Sequence, residues 1–94
     1  MIGQTIQLSV KAGMVDAFEA LVSKLMRDVS KNEPGAIYDV RRIRGLERGY
    51  LYFISFPDQD AYDRYMSAPY HLKMSPKATA MLEGEPVFED LDCF

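Results

Sequence analysis

His71 is the only histidine in the chain, and imidazole is the one side-chain type that ordinarily gains and loses a proton between pH 5 and 8. It is therefore the candidate proton acceptor. The competing reading of a lone histidine in a helical segment is an exposed residue or a structural hydrogen bond. Tyr38, Tyr52, Tyr62, Tyr65 and Tyr70 add five phenols to a short chain. Each offers an apolar ring with a donor at its tip, which suits the wall of a pocket for a flat aromatic ligand. Their other use is to fill the space between sheet and helices while the hydroxyls reach solvent. Tyr62 and Tyr65 stand about a turn or two before His71 and are the phenols expected beside it. Phe56 shares a strand face with Tyr52 and Ile54 and is expected to form an apolar wall.

Other chemistries lack their residues. Cys93 is the only cysteine, which rules out an intrachain disulfide and a cysteine-based metal site. There is no second histidine, and Glu85, Glu89, Asp90 and Asp92 are spaced as a solvated strand face, so no metal is expected. Met66, Met74 and Met81 read as deformable core packing. No GxGxxG or Walker-type loop is present, and nothing calls for a nucleotide, flavin or other cofactor.

The elements that must position these residues come from a chain of 94 residues, a length that fits a single domain, 1–94. A domain this small buries a modest share of its surface and gains by pairing with a copy of itself, so a homodimer is expected. The formal charge of −3 argues against nucleic acid as a partner. Its one basic cluster, Arg41, Arg42, Arg44 and Arg48, reads as solvated charges and ion pairs rather than an anion site. No segment approaches the roughly 20 apolar residues of a membrane span, so no membrane partner is expected. Met1 to Val10 alternates polar and apolar residues, unlike a secretory leader, and with a single cysteine this points to the cytoplasm.

Ile6, Leu8 and Val10 alternate with Thr5, Gln7 and Ser9, which predicts a first strand over 2–10. Met14, Phe18, Leu21, Val22, Leu25 and Val29 recur at helical spacing and predict a helix through Ser30, ended by Lys31-Asn32-Glu33-Pro34-Gly35. Ala36 to Arg44 and Tyr50 to Phe56 read as a β-hairpin around Gly45 to Gly49. Asp58 is the expected N-cap of a second helical region, which Pro69 should kink or divide. Ser75-Pro76 reads as a cap and first position of a further short helix through Leu82, and Pro86 to Phe94 as a last strand at a sheet edge. The order is βαββαβ, an α+β ferredoxin-like arrangement: a four-stranded antiparallel sheet with helices on one face. The other face, including Thr5, Gln7, Leu51 and Phe53, carries enough apolar area to favour a second sheet.

Three stretches resemble one family in sequence order. Glu33-Pro34-Gly35 followed by Tyr38 looks like the turn before the second strand of antibiotic biosynthesis monooxygenases. Tyr52 to Met74 resembles the family's third strand and second helix, with Ala61-Tyr62 and Pro69-Tyr70-His71 in place of its Ala-aromatic pair and Pro-x-His segment. Met81 to Pro86 is similar to the link into its last strand. The resemblance implies a dimeric α/β barrel and cofactor-independent oxidation of a small electron-rich aromatic substrate by O2. It assigns His71 as base or proton shuttle and Tyr65 and Tyr62 as donors to the substrate oxygen. Ile54 stands where many relatives carry glutamate and Tyr65 where many carry histidine, so a two-histidine site is not implied. The haem-degrading branch uses a tryptophan and a first-strand asparagine that this chain lacks. The alternative the same superfamily offers is a non-oxidative ligand-binding module or an isomerase-like enzyme.

Overall fold

A computed structural model describes residues 1–92; Cys93 and Phe94 lie outside the described residues, together with the end of the expected last strand. The chain runs β1 (Ile2–Ser9), α1 (Val15–Asn32), β2 (Ile37–Arg42), β3 (Gly49–Phe56), α2 (Gln59–Ser67), α3 (Pro69–Ala80) and β4 (Val87–Asp92). The strands form one antiparallel sheet in the order β2-β3-β1-β4, with β4 at an edge.

Register settles which side chains share a face. Ile6 pairs with Tyr52 and Phe88, Gln4 with Ile54 and Asp90, and Tyr38 with Ile54. That face packs against Phe18, Val22, Leu25 and Val29 of α1, Ala61 and Tyr65 of α2 and Met74 of α3 in one core. Alternation places the remaining strand residues on the opposite face, where Thr5 pairs with Phe53 and Gln7 with Leu51. No helix covers it, and Ile37, Leu51, Phe53 and Val87 stay between 39% and 60% exposed. The architecture is the ferredoxin-like α+β fold that the order of elements predicts.

Local signals explain most boundaries. The Asp58 carboxylate accepts a hydrogen bond from the Ala61 amide at 2.8 Å, capping α2. The turn after α1 is closed by Ala36 N–H donating to the Glu33 carbonyl, and an added Cβ at Gly35 would sit 2.8 Å from the Pro57 ring, so only glycine fits there. Glu33 is itself buried, and Arg64 clamps its carboxylate with two hydrogen bonds of 2.9 and 3.2 Å, tying this turn to α2.

One boundary differs from expectation. Helix α3 begins at Pro69, and Ser75-Pro76 lies inside it rather than at its start. Both prolines match the first-position signature, but Ala68 has the extended backbone of a cap and its carbonyl accepts from Leu72, so the helix is already formed when the chain reaches Pro76. Pro76 lies on the exposed face of the helix with Leu72, the residue whose carbonyl it deprives of a donor.

Three of the four arginines of the basic cluster are held in ion pairs. Arg41 pairs with Asp39, Arg42 with Glu19, and Arg48 with Glu83 and the Val10 carbonyl. Arg42 and the Tyr50 hydroxyl both donate to Glu19, and these bonds hold its carboxyl down from 4.5 to about 2. A depressed carboxyl contributes stability that is complete above pH 4.5 and lost as pH falls towards 2. Glu19→Gln should therefore lower the urea midpoint at pH 7 and converge with the parent protein near pH 2. Parallel profiles would show that the cluster adds nothing to the acid limb.

Candidate functional site

Between the helices and the inner face of the sheet lies a cavity of about 260 Å³. β1 contributes Ile6 and Leu8, α1 contributes Phe18 and Leu25, and α3 closes it with Met74 and Thr79, so most of the wall is aliphatic or aromatic. Tyr38, Tyr52, Tyr62, Tyr65 and His71 all line it. Phe56 and Tyr70 do not. Phe56 is 1% exposed and packs behind the wall, its ring centroid 5.2 Å from Tyr65 and 5.5 Å from Tyr62. Tyr70 packs 6.4 Å from Tyr65, with a buried hydroxyl that has no hydrogen-bond partner among the described residues.

The break between α2 and α3 positions the histidine. The extended backbone of Ala68 ends α2 before Tyr70 can donate to the carbonyl of Met66, which is left to the His71 ring, whose Nδ1 lies 3.2 Å from it. A carbonyl only accepts, so the neutral ring carries its proton on Nδ1 and presents the lone pair of Nε2. The same turn brings the His71 ring centroid within 4.4 Å of that of Tyr65.

The phenols form a coupled set. Tyr65 donates to the Tyr38 hydroxyl at 3.0 Å, and the Tyr38 ring lies 6.0 Å from that of Tyr52. One proton occupies the Tyr65–Tyr38 bond, so the other is available to a ligand. Burial pushes the hydroxyl pKa of Tyr38, Tyr52 and Tyr65 well up; neighbouring phenols reinforce the shift at Tyr38 and Tyr52, while at Tyr65 the bond to Tyr38 partly offsets it. At neutral pH these groups are therefore uncharged donors. An apolar chamber that holds fixed neutral donors and one imidazole acceptor can bind a phenol, take its proton and stabilise the oxyanion.

Gln4, Phe88 and Pro86 also line the cavity and were not among the site residues expected from sequence. A signal for Gln4 existed, since it has the parity of Ile6 and Leu8 and so places an amide on the apolar face of β1. Among the described residues no group of three or more histidine, cysteine, aspartate or glutamate side chains is placed to hold a metal, and no helix is long and apolar enough to cross a membrane.

Comparison with known proteins gives a consistent picture. Residues 1–77 match the family model described as antibiotic biosynthesis monooxygenase. Among solved structures, a candidate antibiotic biosynthesis monooxygenase from Caulobacter crescentus is similar at 26% identity and a TM-score of 0.92, covering 99% of this chain and 89% of that one. A structure described as antibiotic biosynthesis monooxygenase is 18% identical over 100% and 99% of the two chains, with a TM-score of 0.87. The Rv0793 protein of Mycobacterium tuberculosis shares the fold at 15% identity and a TM-score of 0.86, over 99% and 94%. No curated protein matches the sequence.

Proposed function

The chain belongs to the antibiotic biosynthesis monooxygenase family, and from that premise we propose that it is a cofactor-independent monooxygenase acting on a small electron-rich aromatic, a phenol, hydroquinone or anthrone, with O2. The observation that carries this reading is the meeting of the His71 ring with the bonded Tyr65–Tyr38 pair on one apolar cavity wall. His71 takes the substrate proton at Nε2. Tyr65, Tyr38 and Tyr62 supply hydrogen-bond donors to the oxygen that becomes charged. The resulting anion is electron-rich enough to reduce O2 directly, and the chamber keeps water from the oxygen adduct. For an anthrone, one oxygen atom becomes the new carbonyl and the other leaves as water with the two hydrogens of the oxidised carbon.

The active form in this proposal is a homodimer whose subunits stack through the uncovered sheet faces. Four apolar side chains exposed on one sheet surface support it, since such a patch ordinarily marks an interface.

The test is O2 consumption by purified protein whose absorption spectrum shows neither flavin nor haem, with anthrone and a panel of hydroquinones. The expected result is saturable uptake with one O2 consumed per anthrone converted to the quinone. Uptake no faster than the buffer background across the panel would overturn the proposal.

A further inference from the structure

A second cavity, of about 400 Å³, adjoins the first, and Gln4, Ile54 and Tyr62 line both. The first is apolar apart from its phenols, His71 and a few small polar side chains. The second adds Gln59, Asp90 and Asp92, and among the described residues no lysine or arginine lines either chamber. Gln4 sits where they meet. Its neighbours in the inward register of β1 are Ile2, Ile6 and Leu8, so it is the single polar side chain that this strand sends to the helix side. Gln4 is half-buried there, so its amide meets either water or a ligand at the mouth between the chambers.

One end of the amide is already held. Gln4 Nε2 donates to Asp90 Oδ1 at 3.1 Å, and because a carboxylate only accepts, this bond fixes which end of the amide faces the aspartate. The opposite end, Oε1, accepts no hydrogen bond from any described residue. The neck between the chambers thus offers a fixed acceptor, backed by the negative charge of Asp90 and Asp92.

We propose that Gln4 is a specificity-determining residue that selects aromatic substrates bearing a hydrogen-bond-donating substituent, hydroxyl or ammonium, away from the reacting phenol, and that the chamber beyond it rejects carboxylates. The inference rests on the phenol-binding role proposed for the first cavity. The ring occupies the tyrosine-lined chamber, and the tail donates to Gln4 Oε1 and extends towards Asp90. An anionic tail finds no cation there and meets two carboxylates. An aliphatic tail displaces water from the amide oxygen and offers it no donor in return.

Binding of four simple phenols to the full chain, measured by calorimetry without turnover, tests this. The probes are 4-ethylphenol, 4-(2-hydroxyethyl)phenol, 4-(2-aminoethyl)phenol and 3-(4-hydroxyphenyl)propionate. The hydroxyethyl and aminoethyl compounds should bind about fivefold more tightly than 4-ethylphenol, the effect of one net hydrogen bond. The propionate should bind about tenfold more weakly than the aminoethyl compound, as expected of one charge reversal beside partly exposed carboxylates. Gln4→Leu, which keeps the volume, should bring the ratio between hydroxyethyl and ethyl compounds to about one, and Asp90→Asn should relax the discrimination against the propionate. Circular dichroism checks the fold of both variants. Equal affinity across the probes, or ratios unchanged in Gln4→Leu, would overturn the role of Gln4 while leaving the phenol site standing. Absence of binding by all four would instead overturn the phenol site and this inference with it.

Discussion

Replacing His71 with alanine should slow O2 consumption by about 100- to 10,000-fold, the range typical of a positioned general base. The loss should appear in kcat, because the imidazole lends little to ground-state binding compared with the apolar wall around it. The fold should survive. His71 is only part-buried, and what the variant gives up is a single bond to the Met66 carbonyl at the end of α2, worth about 1 kcal/mol. Free imidazole added to the variant should restore part of the rate by entering the space left at the cavity wall. Turnover equal to that of the parent protein would remove His71 from the mechanism, and with it the only acceptor of its kind in the chamber.

The largest effect on stability should come from Phe56→Ala. Phe56 is 1% exposed and supports the rings of both Tyr62 and Tyr65 from behind. Truncating a fully buried phenylalanine costs about 3 to 5 kcal/mol, a large part of the roughly 5 to 15 kcal/mol that stabilises an ordinary domain. For a domain of this size the melting temperature should fall by roughly 12 °C or more. The position of Phe56 also separates two effects. Because it borders the second cavity and not the tyrosine-lined first one, its removal should act on the affinity for a simple phenol only through looser tyrosines, so the loss of stability should exceed the loss of binding energy. A variant that melts normally but fails to bind phenols would place Phe56 in the wall after all.

What was legible beforehand follows from what periodicity encodes. Alternation in β1 correctly separates Leu8 and Val10, both buried, from Gln7, which is exposed. Spacing along α1 identifies Phe18, Val22, Leu25 and Val29, the four residues that helix buries. The Asp58 cap and the glycine of the turn after α1 are local devices with local signatures. Depth is another matter. Tyr52, Ile54 and Phe56 share one strand face, yet Tyr52 and Ile54 meet the cavity while Phe56 lies behind its wall, because their position along the strand decides what packs above them. Tyr70 escaped for a different reason. The break at Ala68-Pro69 resets the helical phase, so its spacing from Tyr65 says nothing about a shared face. Gln4 was readable from parity alone, but an amide announces its chemistry only when Asp90, far away in sequence, is seen to orient it.

That distance bears on how the protein assembles. Among the described residues β4 pairs only with β1, and the Gln4–Asp90 bond joins residues 86 positions apart. Closing so long a loop costs chain entropy that grows only slowly with length, but contacts of this kind are met late in a conformational search. The β2–β3 hairpin joins residues at far shorter separations. Without the fourth strand the two hollows would share one open side, so the contacts that complete the sheet also complete the place that recognises a ligand.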